Sequence, residues 1–125
     1  CDATWQNKST KTTSTTTTDP ILWTNSKAGR TFVSEQTTGP QAASSFTDDD
    51  GETYTPASAA PPNGGVDHQT VGTGPYPAGS PFKSVAAAAG YDYATYYCSQ
   101  NVASASCTRS DTGGMNFNKL PQLPR

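Results

Sequence analysis

An all-β fold built on a repeated unit is predicted for this chain of 125 residues, and three observations predict it. Hydrophobic residues make up 32% and charged residues 14%, so the Leu-rich periodicity and long charged side chains of a helical bundle are missing. Short runs rich in Thr, Ser and aromatic residues alternate with clusters of Gly, Pro, Asn and Asp, which favours strands separated by turns. One tight, Gly-containing turn occurs twice, 63 residues apart, at Thr47 and at Ser110. A recurring turn is the mark of a repeat architecture.

The elements follow in order. Residues 1–18 form a Thr-rich N-terminal segment. It is expected to be a β-prone loop or edge strand, since Trp5 needs a surface to pack on; an O-glycosylated stalk is the alternative. Asn7-Lys8-Ser9 has the N-glycosylation pattern. Residues 19–60 hold the first unit. Ile21–Thr24 reads as a buried strand, Asn25–Gly29 as a turn and Arg30–Gln36 as the return strand. Ala42–Phe46 is the third strand, and a fourth begins at Thr53. Residues 61–125 hold the second unit, entered from a Pro/Gly linker at Pro56–Gly65. Val66–Gly72 is its first strand. Gly74–Gly90 is a long loop, in which Ala86–Ala89 has room for one helical turn. Ala94–Gln100 and Ala105–Ser110 pair antiparallel, and Asn118–Arg125 trails off.

The two turns carry a resemblance. Thr47, Asp49, Gly51, Thr53 and Tyr54 resemble the Asp-box, or BNR, repeat Ser-x-Asp-x-Gly-x-Thr-Trp of bacterial secreted sialidases and related β-propellers. The second copy keeps Ser110, Gly114 and Phe117. It places Thr112 where the Asp belongs and Asn116 where the Thr belongs, with Asp111 adjacent as a substitute. Asp19–Trp23, Gly29–Val33, Asp67–Gly72 and Tyr96–Gln100 also look like this family. The resemblance implies about two four-stranded antiparallel blades of a sialidase-like β-propeller. Propellers close with about four to eight blades. The chain is therefore expected to be a segment of a larger propeller, or to close by association with other chains. The family role of the turn is structural: Asp49 would accept backbone N–H bonds and Tyr54 would pack between sheets.

The cysteines and charges narrow the setting. Cys98 and Cys107 flank a short hairpin within disulfide reach; a metal pair is the rival, but further ligands do not stand nearby. Cys1 is left over. It suits an inter-chain disulfide, a lipid-modified N-terminus or a chain cut from a longer one. Low Lys, high Thr/Ser and paired cysteines point to an extracellular or cell-surface protein. Net charge is −2 with no basic stripe, which gives no case for nucleic acid. No apolar run approaches the ~18 residues of a membrane span. No cofactor is expected. Calcium is the alternative at Asp48, Asp49, Asp50 and Glu52, although the spacing of a calcium loop is lacking.

No catalytic residue can be carried over from the family. Sialidases hold a carboxylate with three arginines, whose guanidinium forks match it. Arg30, Arg109 and Arg125 stand in no such pattern, and a Ser-His-Asp triad lacks its nucleophile. The ligand-binding candidates are Asp67 and His68 at the start of the second unit's first strand, and Tyr76, Phe82, Tyr91 and Tyr93 around the long loop. Aromatic rings with polar tips suit sugars and protein surfaces. A glycan-binding or structural role, with glycan or other subunits as partners, is the leading expectation. The alternatives are an exo-glycosidase whose catalytic residues lie outside this chain and a self-assembling extracellular structural protein.

Overall fold

A computed structural model describes residues 2–9, 17–37, 42–58, 67–100 and 105–120. Cys1, most of the Thr tract, Arg125 and most of the Pro/Gly linker lie outside the described residues. The chain forms two four-stranded antiparallel sheets and one helix. Sheet 1 contains β1 (Thr17–Asn25), β2 (Arg30–Thr37), β3 (Ala43–Thr47) and β4 (Thr55–Pro56), each hydrogen-bonded to the next. Sheet 2 repeats the order with β5 (Asp67–Pro75), β6 (Tyr93–Gln100), β7 (Ala105–Ser110) and β8 (Asn118–Lys119). The all-β expectation holds. The sequence reading placed the start of the fourth strand two residues early and left β8 in a trailing segment.

The two sheets are copies at the level of register. In sheet 1, Thr24, Thr31 and Thr47 lie side by side; in sheet 2, Thr73, Thr95 and Ser110 do. The next rows are Trp23–Phe32–Phe46 and Gly72–Tyr96–Arg109, then Leu22–Val33–Ser45 and Val71–Tyr97–Thr108. Even the irregularities match. The register slips between Thr18 and Ile21 in β1 and between Asp67 and Thr70 in β5. Each slip holds a non-glycine residue with positive φ, Asp19 at 49° and His68 at 51°. A slip of this kind is a β-bulge, which bends its strand and raises the local twist.

The core lies between the sheets. Phe32 and Phe46 from sheet 1 cluster with Val71, Tyr91, Tyr97 and Phe117 from the second half. The Tyr91 ring meets Phe32 edge-on at 5.7 Å, a geometry that suits the ring quadrupoles. Arg30 fastens the sheets at one end. Its Nε and Nη2 donate to the two carboxylate oxygens of Asp48 at 2.7 and 2.6 Å, and its Nη1 donates to the Gly113 carbonyl at 2.9 Å. The guanidinium carbon lies over the Phe46 ring, 3.8 Å from its centroid, so its charge faces π-electrons as well as Asp48.

Two local expectations are corrected. β1 is not buried: alternation in a strand turns Leu22 away from the neighbouring sheet, and Leu22 is 63% exposed and Trp23 41%. The long loop contains a true helix, α1 (Phe82–Ala88), rather than one turn at the alanine run. Its C-terminus closes in a Schellman arrangement: Gly90 N donates to Ala87 O and Tyr91 N to Ala86 O, with Gly90 at φ 72°. That turn sends Tyr91 into the core, where it is 4% exposed. Tyr91 thus packs in the core, with one edge on the cleft that Lys27, Arg30 and Asp92 also line.

Cys98 and Cys107 are cross-strand neighbours joined by a disulfide. The bridge closes a loop with a sequence separation of 9, for which loop-closure entropy gives about 2–3 kcal/mol. Replacing both cysteines with serine is expected to lower the unfolding free energy by about that amount, read from urea midpoints; an unchanged midpoint would refute the assignment. No helix among the described residues is long and apolar enough to cross a membrane.

Candidate functional site

The two Gly turns share one hydrogen-bond scheme. In the first, Gly51 N donates to Thr47 Oγ1 at 2.9 Å, and Thr53 N donates to Asp49 Oδ1 at 2.9 Å. In the second, Gly114 N donates to Ser110 Oγ at 2.9 Å, and Asn116 N donates to Thr112 Oγ1 at 3.0 Å. Asp50 and Gly51 have positive φ in the first turn, Gly113 and Gly114 in the second. Thr112, not Asp111, therefore takes the place of Asp49. Asp111 points elsewhere, accepting from Arg109 Nη2 at 2.9 Å and from Tyr76 OH at 2.7 Å. Tyr54 does not enter the space between the sheets; its hydroxyl donates to Lys8 O at 2.8 Å, and Lys8 also pairs with Glu52.

Asp49 does more than Thr112 can. Its carboxylate takes the Thr53 hydroxyl at 2.6 Å, the Thr53 backbone N–H and the Thr47 hydroxyl. The Thr53 hydroxyl leads in holding its pKa down to about 2, helped by the Thr53 N–H and the Thr47 hydroxyl. A carboxylate with a lowered folded pKa stabilises above its ordinary pKa of about 3.9, and the contribution fades as pH falls toward about 2. Asp49→Thr, which copies the second turn, is expected to flatten the fall of stability between pH 4 and pH 2. Urea midpoints across that range check it; equal slopes in the two proteins would count against it.

The other predicted site residues do not form one site: Tyr76 and Phe82 both meet the Arg109–Asp111 pair, the Tyr91 and Tyr93 rings lie 5.7 Å apart, and Asp67 and His68 stand on the bulge of β5. Asp67 starts β5 with its backbone opposite Gln100, and its side chain lies outside the described part of the structure. His68 is exposed on the bulge. Phe82 is 42% exposed and lies beneath the Arg109 guanidinium at 4.2 Å. Tyr76 is held by Asp111, and burial leads in pushing its pKa up. Asn7 is exposed, and its Oδ1 accepts from Ser9 N and Ser9 Oγ. Among the described residues no group of three or more His, Cys, Asp or Glu side chains could hold a metal ion. The acidic run follows suit: Asp48 and Asp49 are engaged by Arg30, Thr47 and Thr53.

One candidate does gain a setting. Tyr93 lies at the seam where the β1–β2 turn meets the start of β6. It lines a cleft of about 240 Å³ with Trp23, Asn25, Lys27, Thr73 and Pro75. It also lines the adjoining cleft of about 630 Å³, which holds Lys27, Arg30, Asp48 and Asp92. Trp23 was missed as a site residue because three apolar residues in a row read as core. Its position two residues before the turn at Asn25 was the available signal. The indole is fixed by its own polar atom: Nε1 donates to Thr73 Oγ1 across the seam at 3.0 Å. Asn25 is fixed too, its Nδ2 donating to Tyr91 OH at 2.9 Å. Lys27 stands on the turn above, where its N–H donates to Asn25 Oδ1.

Comparison with protein-family models, with curated proteins and with solved structures finds no match to this chain.

Proposed function

We propose that this chain is a two-blade segment of a sialidase-like β-propeller that works outside the cell as a carbohydrate-binding scaffold. The observation that carries the reading is Trp23: an indole 41% exposed, oriented by Thr73 and set beside Tyr93 in a small cleft. The C–H face of a neutral pyranose carries partial positive charge, which matches the negative face of an aromatic ring. Lys27 and the turn at Asn25–Gly29 supply hydrogen bonds for sugar hydroxyls. An oriented ring flanked by a few converging polar groups is the usual construction of a small-ligand site.

The matching registers of the two sheets support the blade reading, and the Cys98–Cys107 bridge supports an oxidising compartment. Arg30 and Arg109 are held by Asp48 and Asp111, which favours binding over turnover of an acidic sugar. Titration of neutral mono- and oligosaccharides, followed by NMR, tests the proposal. The Trp23 indole N–H signal should shift while that of Trp5, 91% exposed, stays in place. Trp23→Ala should weaken binding by about tenfold or more, the equivalent of about 1.4 kcal/mol, without loss of β-sheet circular dichroism. A sugar panel that leaves the Trp23 signal unmoved would overturn it.

A further inference from the structure

The N-terminal segment carries two side chains that the sugar cleft does not use. Lys8 ties this segment to the first Gly turn: its carbonyl accepts from Tyr54 Oη at 2.8 Å, and its ammonium pairs with Glu52. On either side of Lys8 stand Asn7 and Ser9, both exposed. Ser9 N and Ser9 Oγ both donate to Asn7 Oδ1, at 3.0 and 2.6 Å. A backbone N–H can only donate, so the atom facing it is the amide oxygen. Asn7 Nδ2 is left with no hydrogen-bond partner among the described residues. Hydrogen bonds to the oxygen polarise the amide and make an Nδ2 proton easier to remove. Asn7 also borders a cleft of about 620 Å³ with Lys8, Glu52, Tyr54 and Pro56, so a group attached to it has room.

Two residues before Asn7 stands Trp5, 91% exposed, more than any other large hydrophobic side chain among the described residues. Two residues of chain span at most about 7 Å, so the indole lies within reach of anything attached to Asn7. We infer that Asn7 is the attachment site of an N-linked glycan whose first sugar lies against the Trp5 indole. Asn7-Lys8-Ser9 supplies the acceptor pattern. The turn is made by three consecutive residues, so it needs nothing from the sheets and is available before the chain folds. The donor is an oligosaccharide carried on a polyprenyl diphosphate and handed over by an oligosaccharyl transferase. The bond from the sugar C1 to the diphosphate oxygen breaks, and the diphosphate leaves with the electron pair. C1 then bonds to Asn7 Nδ2, which gives up one proton. The C–H face of the attached sugar matches the negative face of the indole and covers it. The Cys98–Cys107 bridge fits the oxidising compartment in which such transfer takes place. Trp5 and Asn7 take no part in the Trp23 cleft, so this inference is independent of the sugar-binding proposal.

The test uses the protein from its natural source, digested with and without peptide-N-glycosidase and read by peptide mass spectrometry. The peptide that holds Asn7 should carry an N-acetylhexosamine-based glycan, and the enzyme should remove it and leave an aspartate where Asn7 stood. Made in the same host, Ser9→Ala should lose the glycan completely and Ser9→Thr should keep it. NMR cross-peaks should join the first sugar to the Trp5 ring. Removal of the glycan should move the Trp5 indole N–H signal and leave that of Trp23 in place. An unmodified Asn7 would overturn the proposal. So would a glycan that survives Ser9→Ala, or a glycan on Asn7 whose first sugar makes no contact with Trp5. Sugar binding at Trp23 should be the same in Asn7→Gln, so the two proposals fail separately.

Discussion

Phe32→Ala is expected to remove about 3–5 kcal/mol of stability, the usual cost of emptying a buried phenylalanine site. Phe32 is 1% exposed and touches both halves of the chain. It stands 6.3 Å from the Phe46 ring and 5.7 Å from the Tyr91 ring, and the second Gly turn presses on its edge. Collapse around the missing ring is opposed on two sides. β2 is hydrogen-bonded between β1 and β3, so the backbone cannot sink into the space. Tyr91 is tied to Asn25 and leaves α1 through a closed cap. Small domains are stable by about 5–15 kcal/mol, so the loss takes a large share of the total. Urea denaturation of the variant measures it. Leu22→Ala is the control, since Leu22 faces outward, and it should cost less than about 0.5 kcal/mol in the monomer. Similar costs at the two positions would mean that the sheets do not meet through the Phe32 face.

Gly114→Ala is expected to cost about 2–5 kcal/mol, from two separate causes. Gly114 has φ 97°, where an L-residue with a Cβ is strained by about 1–2 kcal/mol. The added Cβ would also lie 2.7 Å from Phe32 Cε1 and 3.2 Å from its Cδ1, and overpacking of this kind costs about 1–3 kcal/mol. The two causes can be separated. With Phe32→Ala in the same chain the steric part disappears, so the double variant should be more stable than the sum of the single effects predicts by about 0.5–3 kcal/mol. Gly51, the equivalent glycine, offers the comparison: its added Cβ would meet Tyr54 Oη and Lys8 Cβ, nearer the surface. Gly51→Ala is expected to cost less, since its nearest contacts, Tyr54 Oη at 3.0 Å and Lys8 Cβ at 3.1 Å, are looser than the 2.7 Å contact at Gly114.

Much of the fold was legible because it is written in residues with few alternatives. The glycines at 51 and 114, each four residues after a hydroxyl, marked both turns, and the hydroxyl accepts the glycine N–H in each. Cys98 and Cys107 were legible as a hairpin pair, and they are cross-strand neighbours. What could not be read was direction. Ile21, Leu22 and Trp23 are all apolar, so the sequence alone does not say which side of β1 meets the second sheet. Tyr91 looked like a loop aromatic because Gly90 turns the chain inward only once α1 is known to extend to Ala88. Asp111 drew attention as the nearest acid, yet the turn bonds the residue two positions after its first hydroxyl, and that residue is Thr112. The sugar cleft was half legible: Tyr93 stood out, while Trp23 became a candidate only when Thr73 was seen to hold its indole at the surface.

The central claim is that the two equivalent sheets meet through unlike faces, sheet 2 presenting Val71 and Tyr97, not Tyr96, to Phe32. Proton–proton NMR distances measure this directly. The account predicts cross-peaks between the Gly114 α-protons and the Phe32 and Phe46 rings, and between the Trp23 indole N–H and the Thr73 side chain. It predicts none between Phe32 and Tyr96. Cross-peaks from Phe32 to Tyr96 or Phe82, with Gly114 unconnected to either phenylalanine ring, would place the opposite face of sheet 2 in the core and contradict the account.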